Sequence, residues 1–593
     1  MRTVATIVVL ASSILFLVIS GGGLFPSTVA ITALVINLLI AILVLLPLRA
    51  VSESTPLVRT PLLHLEMVMA MLLLLVLLSA LPLPPALDWL AGPLRHGQNQ
   101  TVVTAFERAA QAGVPVPLNE PWFSITRNRA GTLRYFLLLA AAFGAMAATA
   151  SLPAGRRIAF LHILAVLGAT VGIAGWISQW KIPQGDSIWW FIPIPHAPTS
   201  SVGCFLNRNH FGGFIAMLCP VALALAHDAA VRKKWFVLLY TLTLAGIMAA
   251  VVALSLSRGA MLALGAGLVA LSGFIAFRRS VAWGGIFLAV LLAGGMVIAG
   301  QSTVVRDRLA GIHHPASLDS VQSRLAEWRE SLRVWPHYPL FGAGMNALRM
   351  VYPQYRQTSV SARLIHAENE YVQMLAEGGV VGVGLALALL AAARSRLRES
   401  PGAIPDVIKI AVAGALTVTG IHCFVDFPTH LPLYALVLGS LAGLALPANP
   451  DPGTRKGRAV LLLPALIGMA GATVILMTHP SILKDRDDPA SLFTAKYREL
   501  QQALIWAPTS SAWLYWGRAL YKEGATRGEV GLCSEGVTCM TRACELDPQN
   551  YRLWYELGNT RLALKLYDGA AEAFKRANQI RPWLTPPSIP GRP

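Results

Sequence analysis

The chain has 593 residues, of which 55% are hydrophobic and only 13% charged, and this composition excludes a soluble globular protein. It predicts an integral membrane protein. The formal net charge of +18 would suit a nucleic-acid-binding protein, but much of the excess lies in short basic clusters between apolar runs. Such clusters are typical of cytoplasmic loops, so we expect no nucleic acid among the partners.

The apolar runs predict about thirteen transmembrane helices, since a helix that spans a bilayer needs about 20 mostly apolar residues. They lie near residues 4–20, 27–47, 61–83, 131–150, 158–178, 211–229, 235–256, 259–277, 281–300, 372–393, 404–422, 430–447 and 459–477. The first run would also fit a signal peptide. A second run follows it closely without a clear cleavage site, which favours an uncleaved helix.

A cytoplasmic N-terminus places the basic clusters on the inner side, as the positive-inside rule requires. The outer side then receives four loops and the C-terminal tail, at residues 84–130, 179–210, 301–371, 423–429 and 478–593. The polar residues that could carry chemistry lie on this outer side.

Two polar groups occur at the outer ends of membrane helices. The first consists of Asn207, Arg208, Asn209 and His210. These side chains either cap the helix and hydrate the interface, or bind the hydroxyls or phosphate of a substrate. The second is Arg258, which interrupts apolar sequence, and a charge there is costly unless it reaches the headgroups, pairs, or lines a cavity.

The loop at 301–371 is unusual because its basic residues are all arginine. They are Arg306, Arg308, Arg324, Arg329, Arg333, Arg349, Arg356 and Arg363. A guanidinium stays charged and grips phosphate through two parallel hydrogen bonds. Eight such charges on the outer face oppose the positive-inside bias, so the loop predicts polyphosphate binding. The alternative is a solvated loop whose acidic residues neutralise part of the charge.

Residues 324–335 of this loop predict an amphipathic helix. Its apolar side, expected to rest on the membrane-facing core, consists of Leu325, Trp328, Leu332 and Trp335. Arg324 lies on the same side as Trp328 and is the arginine expected to point inward. Arg329 lies on the charged outer face, where it is either solvated or a further substrate contact.

After a turn-rich segment at 338–346, His366 lies where water meets the start of a membrane helix. It is either a structural hydrogen bonder or a catalytic base, because imidazole has an ordinary pKa of about 6.5. The short outer turn at 422–430 carries two further histidines and Asp426. Its spacing matches no familiar zinc site, which favours a structural turn.

The tail contains a repeated pattern in which an alanine precedes a proline by a constant offset, at Ala503, Ala543 and Ala577. The last two units are about 34 residues apart and resemble tetratricopeptide repeats, which bind partner proteins or serve as a stabilising cap. The earlier unit is longer, and we interpret the excess as an insertion that holds Cys533 and Cys539. These two cysteines are our first choice for a disulfide, although the pairing stays open.

The polar motifs, taken in order, resemble the O-antigen ligase and polymerase superfamily over roughly residues 200 to 435. They are Gly203-x-Phe-x-Asn-x-Asn209, Ser257-Arg-Gly259, Arg324-x-x-x-Trp328, Pro339-Leu-Phe-Gly-Ala-Gly344, His366-x-x-Asn369 and Glu377-Gly-Gly-Val-Val-Gly382. The resemblance implies an all-α polytopic membrane glycosyltransferase with the GT-C fold. It also implies a bacterial inner-membrane enzyme that is active on its periplasmic face.

Carried over residue by residue, the resemblance implies that Arg258 and Arg324 hold the diphosphate of an undecaprenyl-diphosphate-linked glycan donor. It implies that His366 activates an acceptor hydroxyl, and attack opposite the diphosphate would invert the anomeric centre. Further candidates for substrate contact are Asn207, Arg208, Asn209, His210, Asn369, Arg329 and Arg363. No metal or cofactor is expected, because the only Asp-x-Asp, at 485–487, lies beyond the last membrane helix in what we interpret as a solvated linker.

The predicted domains are N-terminal membrane helices (1–200), a ligase-like core (201–447), a last membrane helix (448–477) and a periplasmic tetratricopeptide-like domain (478–593). The acceptor is a sugar of the lipid A core, another lipid-linked glycan, or a protein Ser or Thr. The tail favours polymerisation or transfer to a protein. The rival classes are a transporter or flippase of lipid-linked sugars, whose charges would follow a path through the membrane, and a membrane-anchored scaffold.

Overall fold

The computed structural model describes residues 2–20, 26–45, 65–84, 93–116, 123–181, 187–189, 192–193, 201–278, 315–357, 365–399, 402, 404–447, 464–473, 497–582 and 587–590. The helices in this part of the chain are α1 (Arg2–Ile19), α2 (Pro26–Leu45), α3 (Leu65–Ala80), α4 (Pro93–Gln111), α5 (Arg129–Ala150), α6 (Ala154–Lys181), α7 (Arg208–Val231), α8 (Trp235–Leu254), α9 (Arg258–Arg278), α10 (Pro315–Leu332), α11 (Leu348–Val351), α12 (Glu370–Glu399), α13 (Asp406–His422), α14 (Pro432–Ala445), α15 (Pro464–Thr473), α16 (Tyr497–Trp506), α17 (Ser510–Arg527), α18 (Val530–Leu546), α19 (Tyr551–Ala563) and α20 (Tyr567–Ile580). Short 3-10 turns lie at Trp335–His337, Tyr352–Tyr355 and Pro428–His430.

Strands are confined to two short antiparallel hairpins in the described residues. They pair β1 (Pro82–Leu83) with β2 (Phe123–Ser124), and β3 (Ser187–Ile188) with β4 (Ile192–Pro193). The architecture is therefore all-α, as expected.

Each predicted membrane run except 281–300 coincides with a helix, and that run lies outside the described residues. Within the described residues, six helices are long and apolar enough to cross a bilayer, namely α5, α6, α7, α8, α9 and α12. The protein is therefore an integral membrane protein. The count of thirteen spans stays a prediction, because several of the other apolar helices are shorter than a bilayer requires.

Helix α7 lies inside the membrane part, packed against α6, α8, α9 and α13. Small residues allow this close approach. A Cβ on Gly213 would lie 2.2 Å from Nε2 of His422, and one on Gly212 would lie 2.6 Å from Oγ of Ser255. Because α7 begins at Arg208, this packing brings His210 to the turn that follows α13.

Helix α12 is broken at Gly379, whose φ of 60° and ψ of −165° are not helical. The break exposes backbone groups that the segment 339–344 satisfies. The amides of Val380 and Val381 donate to the carbonyls of Pro339 and Leu340, each at 3.0 Å, and Gly344 N donates to Glu377 O at 3.0 Å. The glycine motif at 339–344 therefore binds the glycine motif at 377–382 through backbone hydrogen bonds.

The helix predicted at 324–335 is present in α10, but its expected apolar face was wrong. Leu325 and Leu332 are each 39% exposed, whereas Glu330 and Val334 are buried. Glu330 is buried because it accepts hydrogen bonds from the Tyr352 hydroxyl and from the backbone of Gln357. Polar contacts within the outer segment thus outweigh the apolar periodicity.

The tail forms two helical hairpins, α17 with α18 and α19 with α20, that share a core with the loop at 84–130. Helix α4 of that loop places Phe106 against Trp516, with ring centroids 5.7 Å apart. The side chain of Gln501 donates to Pro115 O at 2.6 Å. The tail is therefore anchored to a loop between membrane helices, which the sequence reading had not predicted.

Cys533 and Cys539 lie in one continuous helix, α18, so the predicted insertion and disulfide are both wrong. The extra residues lengthen α17 and α18 to 18 and 17 residues, against 13 and 14 in α19 and α20. Six positions along a helix separate Cα atoms by about 9 Å, which is too far for a disulfide.

We expect Gly342→Ala to lower the free energy of unfolding by roughly 2–4 kcal/mol through backbone strain and steric overlap. Gly342 has a φ of +67°, and an added Cβ would lie 2.2 Å from the backbone of Glu377. Thermal unfolding of the detergent-solubilised protein would measure the loss. Gly384→Ala in α12 is the control, because nothing lies within 4 Å of its Cβ position. Equal melting temperatures for the two variants would contradict the docking of the glycine motifs.

Candidate active site

The site is organised by a buried carboxylate, Asp426, in the turn between α13 and α14. Its side chain is fully buried, and its oxygens lie 3.1 Å from Nε2 of His210 and 2.8 Å from Nε2 of His422. Burial alone would raise the pKa of Asp426, but the two imidazoles outweigh it and hold the pKa well below its ordinary range. An ionised carboxylate therefore joins α7 to α13.

The backbone of the same turn binds three segments that are distant in sequence. The carbonyl of Cys423 accepts from Glu370 N at 2.9 Å, and that of Phe424 accepts from Nδ2 of Asn369 at 3.2 Å. The next carbonyl, of Val425, accepts from Nη1 of Arg324 at 3.2 Å. The turn is structural, as predicted, and it also positions residues that the motifs singled out.

His366 stacks on the ring of Phe427, with centroids 3.8 Å apart and planes 16° apart. Its Nδ1 lies 2.8 Å from Nε2 of Gln373, whose Oε1 accepts from Ala367 N at 3.2 Å. Because the amide thus presents its N–H to Nδ1, a neutral ring carries its hydrogen on Nε2. Burial, followed by the charges of His430 and His210, lowers the pKa of His366 well below its ordinary value. The ring is neutral at physiological pH.

The charge beside it belongs to His430, whose ring centroid is 5.3 Å from that of His366. Nδ1 of His430 lies 3.1 Å from Glu370, and Nε2 lies 3.3 Å from Glu377. Burial lowers the pKa of His430, but the two carboxylates outweigh it and raise the pKa to about 10. The two histidines therefore differ in charge although they are neighbours.

A cavity of about 280 Å³ opens beside these rings. Its polar wall consists of Arg134, Tyr135, Asn346, Arg349, His366 and His430, and its apolar wall includes Val29, Leu137, Leu138, Ile365 and Pro432. Arg134 was not among our predicted site residues, and Arg349 was only one of eight loop arginines. A charged residue near the start of a membrane helix is the signal that would have found Arg134.

Arg324 is not among the described residues that line this cavity; it pairs with Glu368 instead. Its Nη2 lies 3.8 Å from Oε2 of Glu368, a residue with a φ of +50°. Burial, with a smaller contribution from Asp426, raises the pKa of Glu368 to about 7. A non-glycine residue in this left-handed conformation stores strain, and such strain concentrates at functional sites.

Arg258 is half-buried at the first position of α9. The following Gly259 packs against the side chain of Val425, since a Cβ there would lie 2.6 Å from it. The structure thus brings Gly259, the neighbour of Arg258, and the guanidinium of Arg324 to the same residue of the turn.

Three other residues that the sequence predicted to contact substrate are held by hydrogen bonds or an ion pair within the protein. Asn207 caps α7 by accepting from Asn209 N at 2.9 Å, and His210 is held by Asp426. Asn369 is 3% exposed and caps α12, with its side-chain oxygen accepting from the amides of residues 371 and 372. These contacts account for the three side chains without a substrate.

The remaining candidates are less enclosed. Arg208 and Asn209 are half-buried at the start of α7, and Arg329 is exposed on α10. Arg363 and the Asp-x-Asp motif at 485–487 lie outside the described residues.

Residues 243–387 match the family model of the O-antigen ligases. Over this segment the chain is similar to the O-antigen ligases. This confirms the predicted resemblance to the ligase and polymerase superfamily, and the matched segment contains Arg258, Arg324 and His366. The N-terminal part of α7 and the turn at 422–430 lie outside it. No curated protein matches the chain.

Replacement of Asp426 by Ala should destabilise the membrane part of the protein by about 3–5 kcal/mol, because two buried imidazoles lose their charged partner. The melting temperature in detergent would report the change. Asp406→Ala is the matched control, since the Asp406 side chain is 50% exposed and its ion pair with Lys409 is long, at 4.0 Å. Its effect should stay within about 1 kcal/mol. An Asp426 variant as stable as this control would contradict the conclusion that the buried Asp426 organises the turn.

Proposed function

We propose that the protein transfers a glycan from an undecaprenyl-diphosphate-linked donor to an acceptor hydroxyl. The reaction takes place on the periplasmic face of the bacterial inner membrane, with the N-terminus cytoplasmic and the C-terminal domain periplasmic. The observation that carries the proposal is a neutral His366, in the segment similar to the O-antigen ligases, that opens onto a cavity. The turn beneath this histidine also binds Arg324.

In this reaction the acceptor oxygen bonds to the anomeric carbon while the bond from that carbon to the phosphate oxygen breaks. The electron pair leaves with the lipid diphosphate, whose negative charge increases. Arg258 and Arg324 stabilise that charge, because fixed guanidinium groups in a water-poor site are effective where charge develops. Attack from the opposite face inverts the anomeric centre, and the chemistry of these residues requires no metal.

The proton of the acceptor hydroxyl passes to His366. For Nε2 to receive it, the ring must carry its own hydrogen on Nδ1, the reverse of the resting arrangement. Gln373 then turns its amide so that Oε1 accepts from Nδ1, and the bond from Ala367 N is lost. Gln373 is therefore the positioning residue that sets the tautomer of His366.

The tail supports a polysaccharide polymerase, or transfer to a protein, over simple ligation to a lipid A core. Arg356 and Asp547 are 11% and 12% exposed and lie 3.1 Å apart, which ties the tail to the outer segment that carries Arg349. The two helical hairpins, predicted from the sequence as tetratricopeptide-like repeats, offer a surface for a partner protein. A growing glycan or protein acceptor held there would be close to the site. A protein O-oligosaccharyltransferase is the alternative within this class.

Incubation of the purified protein with a synthetic undecaprenyl-diphosphate oligosaccharide should give a ladder of longer lipid-linked glycans. His366→Ala and Arg324→Gln should each reduce the rate by about 10²–10³-fold, as losses of a base and of a charge stabiliser do. His337→Ala and Arg333→Gln are matched controls, because both residues are exposed in the same segment. Equal losses in the controls would contradict the assignment.

The products of this assay also separate the other readings. An inverted linkage by NMR and full activity in EDTA are expected, and a retained configuration would exclude the single-displacement reaction. An unchanged donor that becomes a substrate when a protein or lipid A acceptor is added would identify a transferase of another acceptor class. A protein that only moves the donor across vesicles would be a transporter.

Gln373→Glu should shift the acidic limb of the kcat/KM profile to higher pH. The wild-type limb lies below pH 6.5, because the pKa of His366 lies below that value. A carboxylate beside Nδ1 favours the protonated imidazole, raises this pKa and removes the free base at a higher pH. Gln111→Glu, at an exposed position of α4, should leave the limb unchanged. An unmoved limb in the Gln373 variant would mean that His366 is not the titrating base.

A further inference from the structure

We propose that Glu368 is the general acid of the transfer, which enters the reaction protonated and gives its proton to the diphosphate that leaves the glycan. This inference rests on the proposed function, in which Arg324 stabilises that diphosphate. It depends on three observations, which are the contact between Glu368 and Arg324, the different surroundings of Glu368 and His366, and the charged groups that face Glu368.

The carboxylate of Glu368 lies where a phosphate held by Arg324 would be within its reach. Oε2 of Glu368 is 3.8 Å from Nη2 of Arg324, while Nη1 of the same guanidinium donates to the carbonyl of Val425 at 3.2 Å. A separation of 3.8 Å is too long for a hydrogen bond, so the two side chains form an ion pair without one. A phosphate oxygen that accepts from Nη2 at about 2.8 Å could therefore also accept from a protonated Glu368.

Glu368 differs from the three carboxylates that are its neighbours in the site. The side chains of Asp426, Glu370 and Glu377 are at most 4% exposed, and each lies within 3.3 Å of a histidine nitrogen. The side chain of Glu368 is 26% exposed, and within the described part of the chain its ion pair is with Arg324. It is therefore the carboxyl group of this cluster that a substrate can reach.

The segment before α12 gives the proposed acid and the proposed base different surroundings. His366 lines the cavity of about 280 Å³, whereas Glu368 is not among the described residues that line it. Ala367, which separates them, is fully buried, and Glu368 has a φ of +50° in the left-handed region. Inversion places the acceptor and the leaving group on opposite faces of the anomeric carbon, so a base and an acid in separate environments fit the reaction.

The charged groups that face Glu368 come from three other elements. They are Arg324 and Glu327 of α10, Asp426 of the turn after α13, and His210 of α7. Burial, followed by repulsion from Asp426, favours the neutral carboxyl and outweighs the attraction of Arg324 and His210. The pKa of Glu368 is therefore raised to about 7, which leaves a proton available near neutral pH.

A bound donor should complete this protonation. Both phosphates of a glycosyl diphosphate donor are ionised, and negative charge beside the carboxyl raises the pKa of Glu368 further. Above pH 7, donor binding is therefore coupled to the uptake of one proton. A neutral acid also avoids the repulsion that an ionised carboxylate would exert on the diphosphate.

The two proton transfers balance. The acceptor oxygen bonds to the anomeric carbon, the bond from that carbon to the phosphate oxygen breaks, and its electron pair stays on that oxygen. His366 takes the proton of the acceptor hydroxyl, and Glu368 gives its proton to the leaving phosphate. After the products leave, His366 releases a proton to water and Glu368 takes one up, so the protein returns to its starting state.

The first test measures affinity for the donor against pH. The probe is an undecaprenyl-diphosphate trisaccharide in which a methylene group replaces the glycosidic oxygen, so no transfer occurs and the charge of the probe stays constant. For the full-length protein in detergent, we expect the affinity to fall by roughly tenfold between pH 7 and pH 8.5, because the acid must be protonated for tight binding. Glu368→Gln is neutral throughout and should show no such fall, so it binds more tightly than the wild type at pH 8.5.

The second test measures transfer with the natural donor. Glu368→Gln should reduce kcat by about 10²–10⁴-fold, as the loss of a general acid does. It should also remove the basic limb of the kcat/KM profile, which lies near pH 7 in the wild type because the pKa of Glu368 is about 7. Tight binding with slow transfer is the signature of an acid. A residue that only positions Arg324 would lose affinity and rate together.

Glu327→Gln is the matched control, because Glu327 is a half-buried carboxylate on the same helix as Arg324 and interacts with its charge. This variant keeps Glu368 and should therefore keep both the fall in affinity and the basic limb. Melting temperatures identify any variant that fails to fold, and the pH dependence of the wild-type affinity remains decisive in that case.

A wild-type affinity that is the same at pH 7 and pH 8.5 would overturn the proposal. So would a Glu368→Gln variant that transfers at the wild-type rate. Either result, with transfer that still requires His366, would leave the proposed function standing. A pH-dependent affinity without any glycan transfer would support proton uptake by Glu368 and count against the proposed function. No binding of the probe at any pH would count against both.

Discussion

The contact on which the site depends is the buried pairing of Asp426 with His210 and His422. It joins α7 to α13 and thereby fixes the turn between α13 and α14. Removing three polar groups from water is costly, and such clusters are seldom kept for stability alone. Here the cluster holds a turn whose carbonyls bind Arg324 and the start of α12. Position, more than stability, is what the buried charge provides.

A second buried charge sets the chemistry. His430 is a fixed cation between Glu370 and Glu377, and burial together with the field of His430 keeps His366 neutral. Glu377 also accepts from the backbone of the segment that leads to Arg349. One carboxylate therefore connects the charge of one histidine, the neutrality of the other and the place of an arginine. A substitution there would change all three together.

Sequence alone predicted what depends on local pattern, which includes the apolar helices, the caps and the ordered motifs. It missed what depends on partners far along the chain. The apolar face at 324–335 was wrong because Glu330 finds buried donors in the next segment, which no helical periodicity reports. Arg134 was missed because a single charged residue at the start of a membrane helix is usually interpreted as the boundary of the membrane-spanning segment. Arg134 lines the cavity beside Asn346, more than 200 positions away, whose side chain donates to Gly131 O in the same helix.

The arginines of the loop at 301–371 illustrate why composition could not define the site. Their abundance predicted one polyphosphate surface, but the described members differ in burial and partner. Arg356 pairs with the tail, Arg324 binds the turn, and Arg329 is exposed. Arg349 alone of the described loop arginines lines the cavity beside His366. A guanidinium acquires a function from the groups that surround it, so an arginine-rich segment distributes its charges among anchoring, positioning and binding, and only the fold separates them.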